Sequence, residues 1–146
     1  MPVVAFVAWG GLAETVCTPA TLCVPLPDGF APSQAAALPF AYAGALMALD
    51  GKVGPGRTLL VLGAGGHIGL GAVATAKALG ATVIAAATGQ ARREAAEAMK
   101  PDHVFDPGLS AIGPTVAELT NGKGVSVVFD PVGTTWLMRL AVIWSV

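Results

Sequence analysis

Apolar and polar positions follow two patterns that meet near Ser33. Up to Phe30 the apolar residues come in short β-rich runs, Val3–Ala8, Glu14–Thr18 and Thr21–Val24, broken by Gly10-Gly11 and by Pro19, Pro25 and Pro27. Runs of that kind predict strands and turns of an antiparallel unit, one that residues 3–30 are too few to close by themselves. Ser33 then reads as the N-cap of a helix over "QAAAL". Pro39 interrupts that helix before a second apolar one from Ala41 to Leu49, and "DGKVGPG" is a turn.

From Thr58 the pattern becomes regular. "TLLVLG" reads as a strand, Ile68–Leu79 as a helix closed by Gly80, and "ATVIAAA" as a second strand. Ala91–Lys100 is a helix stopped by Pro101, "HVF" a short strand, Pro114–Thr120 a helix with proline in its first turn, and "VSVVFD" a fourth strand. The strands are apolar without alternation, as strands covered by helices on both faces are. Strand and helix alternating in this way predict an α/β fold with a parallel, doubly wound (Rossmann) sheet. The expected organisation is residues 1–32 as a β unit, 33–57 as connecting helices and turn, and 58–146 as the sheet domain.

Composition narrows the function. Hydrophobic residues make up 54% of the 146 and charged ones 12%, against about a quarter charged in an ordinary globular chain. The apolar runs are all broken by Gly, Pro or charge before the 18 or so residues that a membrane span needs, so no membrane segment is expected. A net charge of −1 with no basic cluster beyond Arg92-Arg93 makes nucleic acid a poor partner. "PVVAFVAW" lacks the features of a secretory signal. Cys17 and Cys23 are too few for a disulfide framework and too widely spaced for a zinc knuckle, so buried free thiols and a reducing cytoplasm are expected.

The segment between the first two strands of the regular half carries the chemistry. In Gly63-Ala64-Gly65-Gly66-His67-Ile68-Gly69 the literal G-x-G-x-x-G register is missing, but Gly63, Gly66 and Gly69 recur at three-residue spacing. Gly63 would allow a sharp exit from the strand. Gly66 would leave the backbone bare toward a pyrophosphate, and Gly69 would let the helix pack close to the strand. The helix start then offers unpaired N–H groups and a partial positive charge to phosphate. His67, with no second ligand at metal spacing, reads as a turn residue.

The end of the second strand bears on which nucleotide is held. A free ribose 2′-hydroxyl is usually gripped there by Asp or Glu, yet no carboxylate occurs between Asp50 and Glu94. Thr88 and Gly89 stand in that place, with Arg92 and Arg93 just beyond. Small polar groups and a cation suit a 2′-phosphate, so NADPH is expected over NADH. Arg92 is the expected binder. Arg93 reads as a solvated helix-face residue near Glu94 and Glu97.

These blocks together resemble the quinone oxidoreductase (zeta-crystallin-like) branch of the zinc-independent medium-chain dehydrogenases/reductases. "GGLAETVCTPATLCVPLPDG", "AAALPFAYAGALMAL", "GPGRTLLVLGAGGHIGLGAVATAKALGATVIAAAT", "DHVFD" and "GKGVSVVFDPVG" fall in the family's order and spacing up to Gly133. The resemblance implies a Rossmann domain preceded by part of a GroES-like β-barrel substrate domain. It also implies NADPH-dependent hydride transfer, without zinc, to a quinone or an α,β-unsaturated carbonyl compound. Carried over, the phosphate turn is Gly63, Ala64, Gly66, His67, Ile68 and Gly69, and the 2′-phosphate region is Thr88, Gly89 and Arg92. Asp130, Val132 and Gly133 fall in the loop that lines the family's cofactor cleft.

In "LPFAYAG" the family commonly carries Thr beside Tyr, whereas this chain has Ala41 beside Tyr42. Tyr42 is then either a pocket residue or a packing aromatic in a helix seam, and no catalytic residue is assigned. Set against the family, the chain starts inside the barrel, and "WLMRLAVIWSV" corresponds to the helix leading to a fifth strand. Cofactor contacts with little or no turnover are therefore expected, as is association with a second copy or another chain, the family being homodimeric. Two other readings stay open, a non-catalytic nucleotide-binding subunit and a reductase of enoyl thioesters.

Overall fold

A two-stranded antiparallel ribbon opens the chain, β1 (Val3–Ala5) against β2 (Cys23–Pro25), with Val4 opposite Val24. The computed structural model describes residues 1–133, so the "WLMRLAVIWSV" segment lies outside the described residues. β1 is shorter than its run Val3–Ala8, β2 is displaced from Thr21–Val24 to end on Pro25, and Glu14–Thr18 forms neither strand nor helix. Apolar character alone does not make a strand, because each backbone N–H and C=O needs a partner. The pairing ends where Phe6 N–H donates to the Leu22 carbonyl, beside a 3-10 turn over Ala20–Leu22. Cys17 is exposed and Cys23 half-buried, against the expectation of buried thiols. The reason is that, among the described residues, none before Pro32 belongs to either apolar core.

α1 (Pro32–Leu38) starts two residues earlier than a Ser33 cap would set it. Pro32 takes the first helical position, where a missing N–H costs nothing, and the Gln34 side-chain oxygen accepts the Ala31 N–H at 3.3 Å. Ser33 therefore sits inside the first turn. Pro39 does not break the helix. A π-helical turn, Pro39–Ala43, carries the chain into α2 (Gly44–Leu49) with right-handed helical geometry at both joins. The wider turn absorbs the proline ring and its missing donor.

The regular half runs β3 (Thr58–Leu62), α3 (His67–Ala78), β4 (Thr82–Ala86), α4 (Gln90–Glu97), β5 (His103–Phe105), α5 (Ile112–Leu119) and β6 (Val127–Phe129). The sheet order is β5-β4-β3-β6, every pair parallel, with Leu60 opposite both Ile84 and Val128. Two strands are laid outward from β3 on one side, and the chain then reverses to set β6 on the other. That reversal is the switch point of a doubly wound sheet. Alternate residues of each strand serve different cores. Leu59, Val61, Val83 and Ala85 pack with Ala45 and Leu49 of α2, Ala72, Val73 and Ala76 of α3, and Ala96 of α4. Leu60, Leu62, Ile84 and Ala86 pack with Phe105 and with Ile112 and Val116 of α5. Both faces are covered, which is why these strands read as unbroken apolar runs.

α3 meets the π turn backbone to backbone. A Cβ at Gly71 would lie 2.8 Å from the Ala41 carbonyl oxygen, whereas one at Gly113, in the first turn of α5, would meet nothing within 4 Å. Gly71→Ala should therefore lower the free energy of unfolding by about 1–3 kcal/mol through overpacking. Gly113→Ala should raise it by about 0.4–1 kcal/mol through the unfolded chain's lost freedom. Urea unfolding of the two variants checks the pair, and equal effects would contradict this packing.

Candidate functional site

The C-terminal ends of all four parallel strands converge on one cleft of about 300 Å³. Leu62 and Gly63 come from the end of β3, Ala87 and Thr88 from β4, Pro107 from β5 and Val132 from β6, with Gly65, Gly66 and Arg92 completing the wall. This is the crevice where doubly wound sheets hold their ligands. A larger hollow of about 970 Å³ lies between the ribbon and α1. Its wall is mostly aliphatic and carries no arginine, lysine or carboxylate, so the smaller cleft is the one equipped for an anionic ligand.

The glycines that shape it do so for separate physical reasons. Gly63 has φ +63°, and a Cβ there would stand 2.6 Å from Val132 Cγ2. A Cβ at Gly69 would overlap the Gly63 carbonyl oxygen and lie 2.8 Å from Ala64 Cα, so the first turn of α3 rests directly on the strand exit. Gly66 is the flanking residue of α3, and its N–H donates to the Gly63 carbonyl at 3.0 Å. The first intrahelical bond runs from Leu70 N–H to the Gly66 carbonyl, and no side chain among the described residues caps the helix. The N–H groups of His67, Ile68 and Gly69 thus have no acceptor among the described residues. They are the unpaired donors that a helix start presents to an anion.

The other expected site residues divide around this cleft. Ala64 is fully buried, its N–H donating to the Ala86 carbonyl at 3.0 Å, and ties β3 to β4 rather than facing the cleft. Gly69 is buried as packing, while the His67 side chain is exposed and Ile68 half-buried. Gly89 has φ +84° and is the residue before α4. Asp130 Oδ1 accepts the N–H groups of Val132 and Gly133 at 2.9 and 3.0 Å, folding the loop that brings Val132 to the cleft. Its Oδ2 is buried with no partner among the described residues. Tyr42 is not in the cleft. It lines a separate hollow with Leu46, Ala74 and Ala78, because its neighbour Ala41 takes the contact with Gly71 and the next side chain points round the helix.

Arg92 and Arg93 have opposite fates. Arg92 is exposed on the cleft rim with no ion pair among the described residues. Arg93 is not the solvated helix-face residue expected of it. It is bonded through Nη1 to Asp106 Oδ2, while Glu94 takes its hydrogen bond from Gln90 instead. Asp106, at the end of β5, is 9% exposed and also accepts the N–H groups of Gly89 and Gly108, each at 2.8 Å. Those backbone N–H bonds first, and then the Arg93 charge, outweigh burial and hold the Asp106 carboxyl below its ordinary 3.8. Burial raises Asp102, but Lys77 at 2.8 Å and the Val83 N–H at 2.7 Å outweigh it, so this carboxyl is lowered as well.

Sequence reasoning misses Gly65, Leu62, Ala87 and Pro107 as cleft residues, and Asp106 altogether. A signal is present. "HVFD" and "VVFD" each end a strand on an aspartate, and both aspartates organise loops at the same sheet end.

Known proteins share this fold. The family model for zinc-binding dehydrogenases matches residues 68–143, more than half of the chain. The chain belongs to the zinc-binding dehydrogenase family. Among relatives in this wider medium-chain dehydrogenase/reductase group, it is 34% identical over 124 residues to a phenolphthiocerol/phthiocerol polyketide synthase polypeptide of Mycobacterium tuberculosis. That match spans 84% of this chain and 6% of the synthase. The quinone oxidoreductase of Thermus thermophilus, solved also with NADPH, superposes with a TM-score of 0.83 at 31% identity, over 95% of this chain and 46% of that one. The CurK enoyl reductase gives 0.77 at 27% identity, over 86% and 39%. The chain therefore spans less than half the length of these relatives. Despite the family's description, no three His, Cys, Asp or Glu side chains cluster to hold a metal ion among the described residues. These residues do not fit a zinc ion.

The two lowered carboxyls set an acid limit. A depressed folded pKa contributes stability that is complete above the ordinary 3.8 and is lost as pH falls through the lower folded value. Urea unfolding between about pH 5 and pH 2 should show that loss, and Asp106→Asn should flatten it. An unchanged slope in the variant would contradict the ion-pair description.

Proposed function

We propose that the chain is the cofactor-holding part of an NADPH-dependent reductase of a quinone or an α,β-unsaturated carbonyl compound, working without zinc. One observation carries the reading: a single strand-end cleft is walled by Gly63, Gly65 and Gly66, which lead into the uncapped start of α3, and by Arg92, which has no ion pair among the described residues. The N–H groups of His67, Ile68 and Gly69 would bind the diphosphate, with Gly63 and Gly66 leaving room for it. Arg92 would meet the 2′-phosphate beside Thr88. Bound NADPH supplies hydride from its nicotinamide. What the described residues would do is hold the diphosphate and the adenosine end of that cofactor.

A second reading concerns the acceptor. The similarity to a polyketide synthase over 84% of the chain, together with the likeness to an enoyl reductase, supports an enoyl thioester, as the likeness to a quinone oxidoreductase supports a quinone. Loss of NADPH absorbance with each acceptor, in the protein as it naturally occurs, separates the two.

Titration of the chain with NADPH and with NADH, read by nicotinamide fluorescence, tests the binding reading. NADPH should bind more tightly. Arg92→Ala should weaken NADPH by about tenfold or more, a lost charge-assisted hydrogen bond, and leave NADH unchanged. Equal affinity for the two dinucleotides in the unaltered chain would overturn the selectivity.

A further inference from the structure

We infer that Asp106 is a positioning residue for cofactor choice, holding the loop between β4 and α4 so that Arg92 alone presents a cation to the 2′-phosphate. The inference rests on the NADPH reading above and adds the device that makes it work.

Asp106 comes from the end of β5, not from β4, yet its carboxylate reaches the loop where a ribose-binding carboxylate would otherwise stand. A free carboxylate in that place would repel a 2′-phosphate and favour a ribose hydroxyl. This one is engaged. Oδ2 accepts the Gly89 N–H and the Arg93 guanidinium, Oδ1 accepts the Gly108 N–H, and the side chain is 8% exposed. Its charge is met within the protein, three of its four lone pairs accept protein N–H groups, and it is buried, so it is poorly placed to receive a ribose.

The same bonds hold Arg92 in place. Gly89, at φ +84°, turns its N–H onto Asp106, which fixes the start of α4. Arg93 is drawn inward on the helix, and successive residues about 100° apart then send Arg92 to the cleft rim. On its other side Arg92 rests on the phosphate turn, since a Cβ at Gly65 would overlap the Arg92 carbonyl oxygen and stand 2.5 Å from its Cβ. The backbone of Arg92 is gripped from two directions while its guanidinium stays free.

The test measures Kd for NADPH and for NADH in the unaltered chain and in Asp106→Asn. Removing a negative charge near a phosphate would, by charge alone, tighten NADPH binding. Positioning predicts the opposite: NADPH weakens and the NADPH preference falls by about tenfold, with NADH little changed. Arg93→Gln, at a side chain 30% exposed, should lower the preference in the same direction, and it carries the test alone if Asp106→Asn does not fold. A folded variant with a lower melting temperature but an undiminished preference would reduce Asp106 to a structural role and overturn the inference. An unaltered chain that binds neither dinucleotide, or prefers NADH, would overturn the NADPH reading itself and this inference with it.

Discussion

The approach of α3 to the end of β3 is the constraint on which the rest of the structure depends. Gly69 lies against the Gly63 carbonyl and Ala64 Cα at distances that admit no Cβ. This contact sets the uncapped start of α3 at the strand exit, where Gly63, Gly65 and Gly66 wall the cleft. It also brings Ala72, Val73 and Ala76 down onto Leu59, Val61, Val83 and Ala85, so the same approach seals one apolar core. Small residues recur along the buried side of α3 because the sheet beneath and the π turn above both come close. Gly71 against the Ala41 carbonyl is the second such meeting.

Around that scaffold the charged residues act mainly on loops. Asp130 folds the β6 loop by accepting two N–H groups. Asp106 binds two loops and a helix turn at once. Asp102 ties the C-terminal part of α3, through Lys77, to the backbone of β4. With only 12% charged residues in the chain, carboxylates are few, and three of them are spent holding backbone at strand ends. The site that results is chiefly main chain, shaped by where glycine permits approach, with Arg92 on its rim and without an ion pair among the described residues.

Much of this is legible in the sequence because one physical cause wrote it there. Strands covered on both faces must be apolar throughout, and a helix resting on a strand must have glycine at the contact, so β3, α3 and β4 can be read directly. The differences share a cause as well. Arg93 finds its partner at the end of another strand, whereas helix periodicity suggests only near neighbours such as Glu97. Pro39 continues a helix because a π turn accommodates it, an outcome set by packing against α3 rather than by proline's own preference. Tyr42 falls on the far side of the same turn, which no local pattern reveals. Thiols are usually found inside, but Cys23 lies in the ribbon and Cys17 in the segment joining its strands, and neither part contributes to the apolar cores of the described residues.

Backbone amide shifts address the central claim most directly. In a labelled sample titrated with NADPH, the largest perturbations should fall on the N–H groups of Gly66 to Gly69, with smaller ones at Thr88, Gly89 and Arg92. Perturbations confined to the hollow between the ribbon and α1, or amides at the start of α3 that stay unmoved at saturation, would contradict the account.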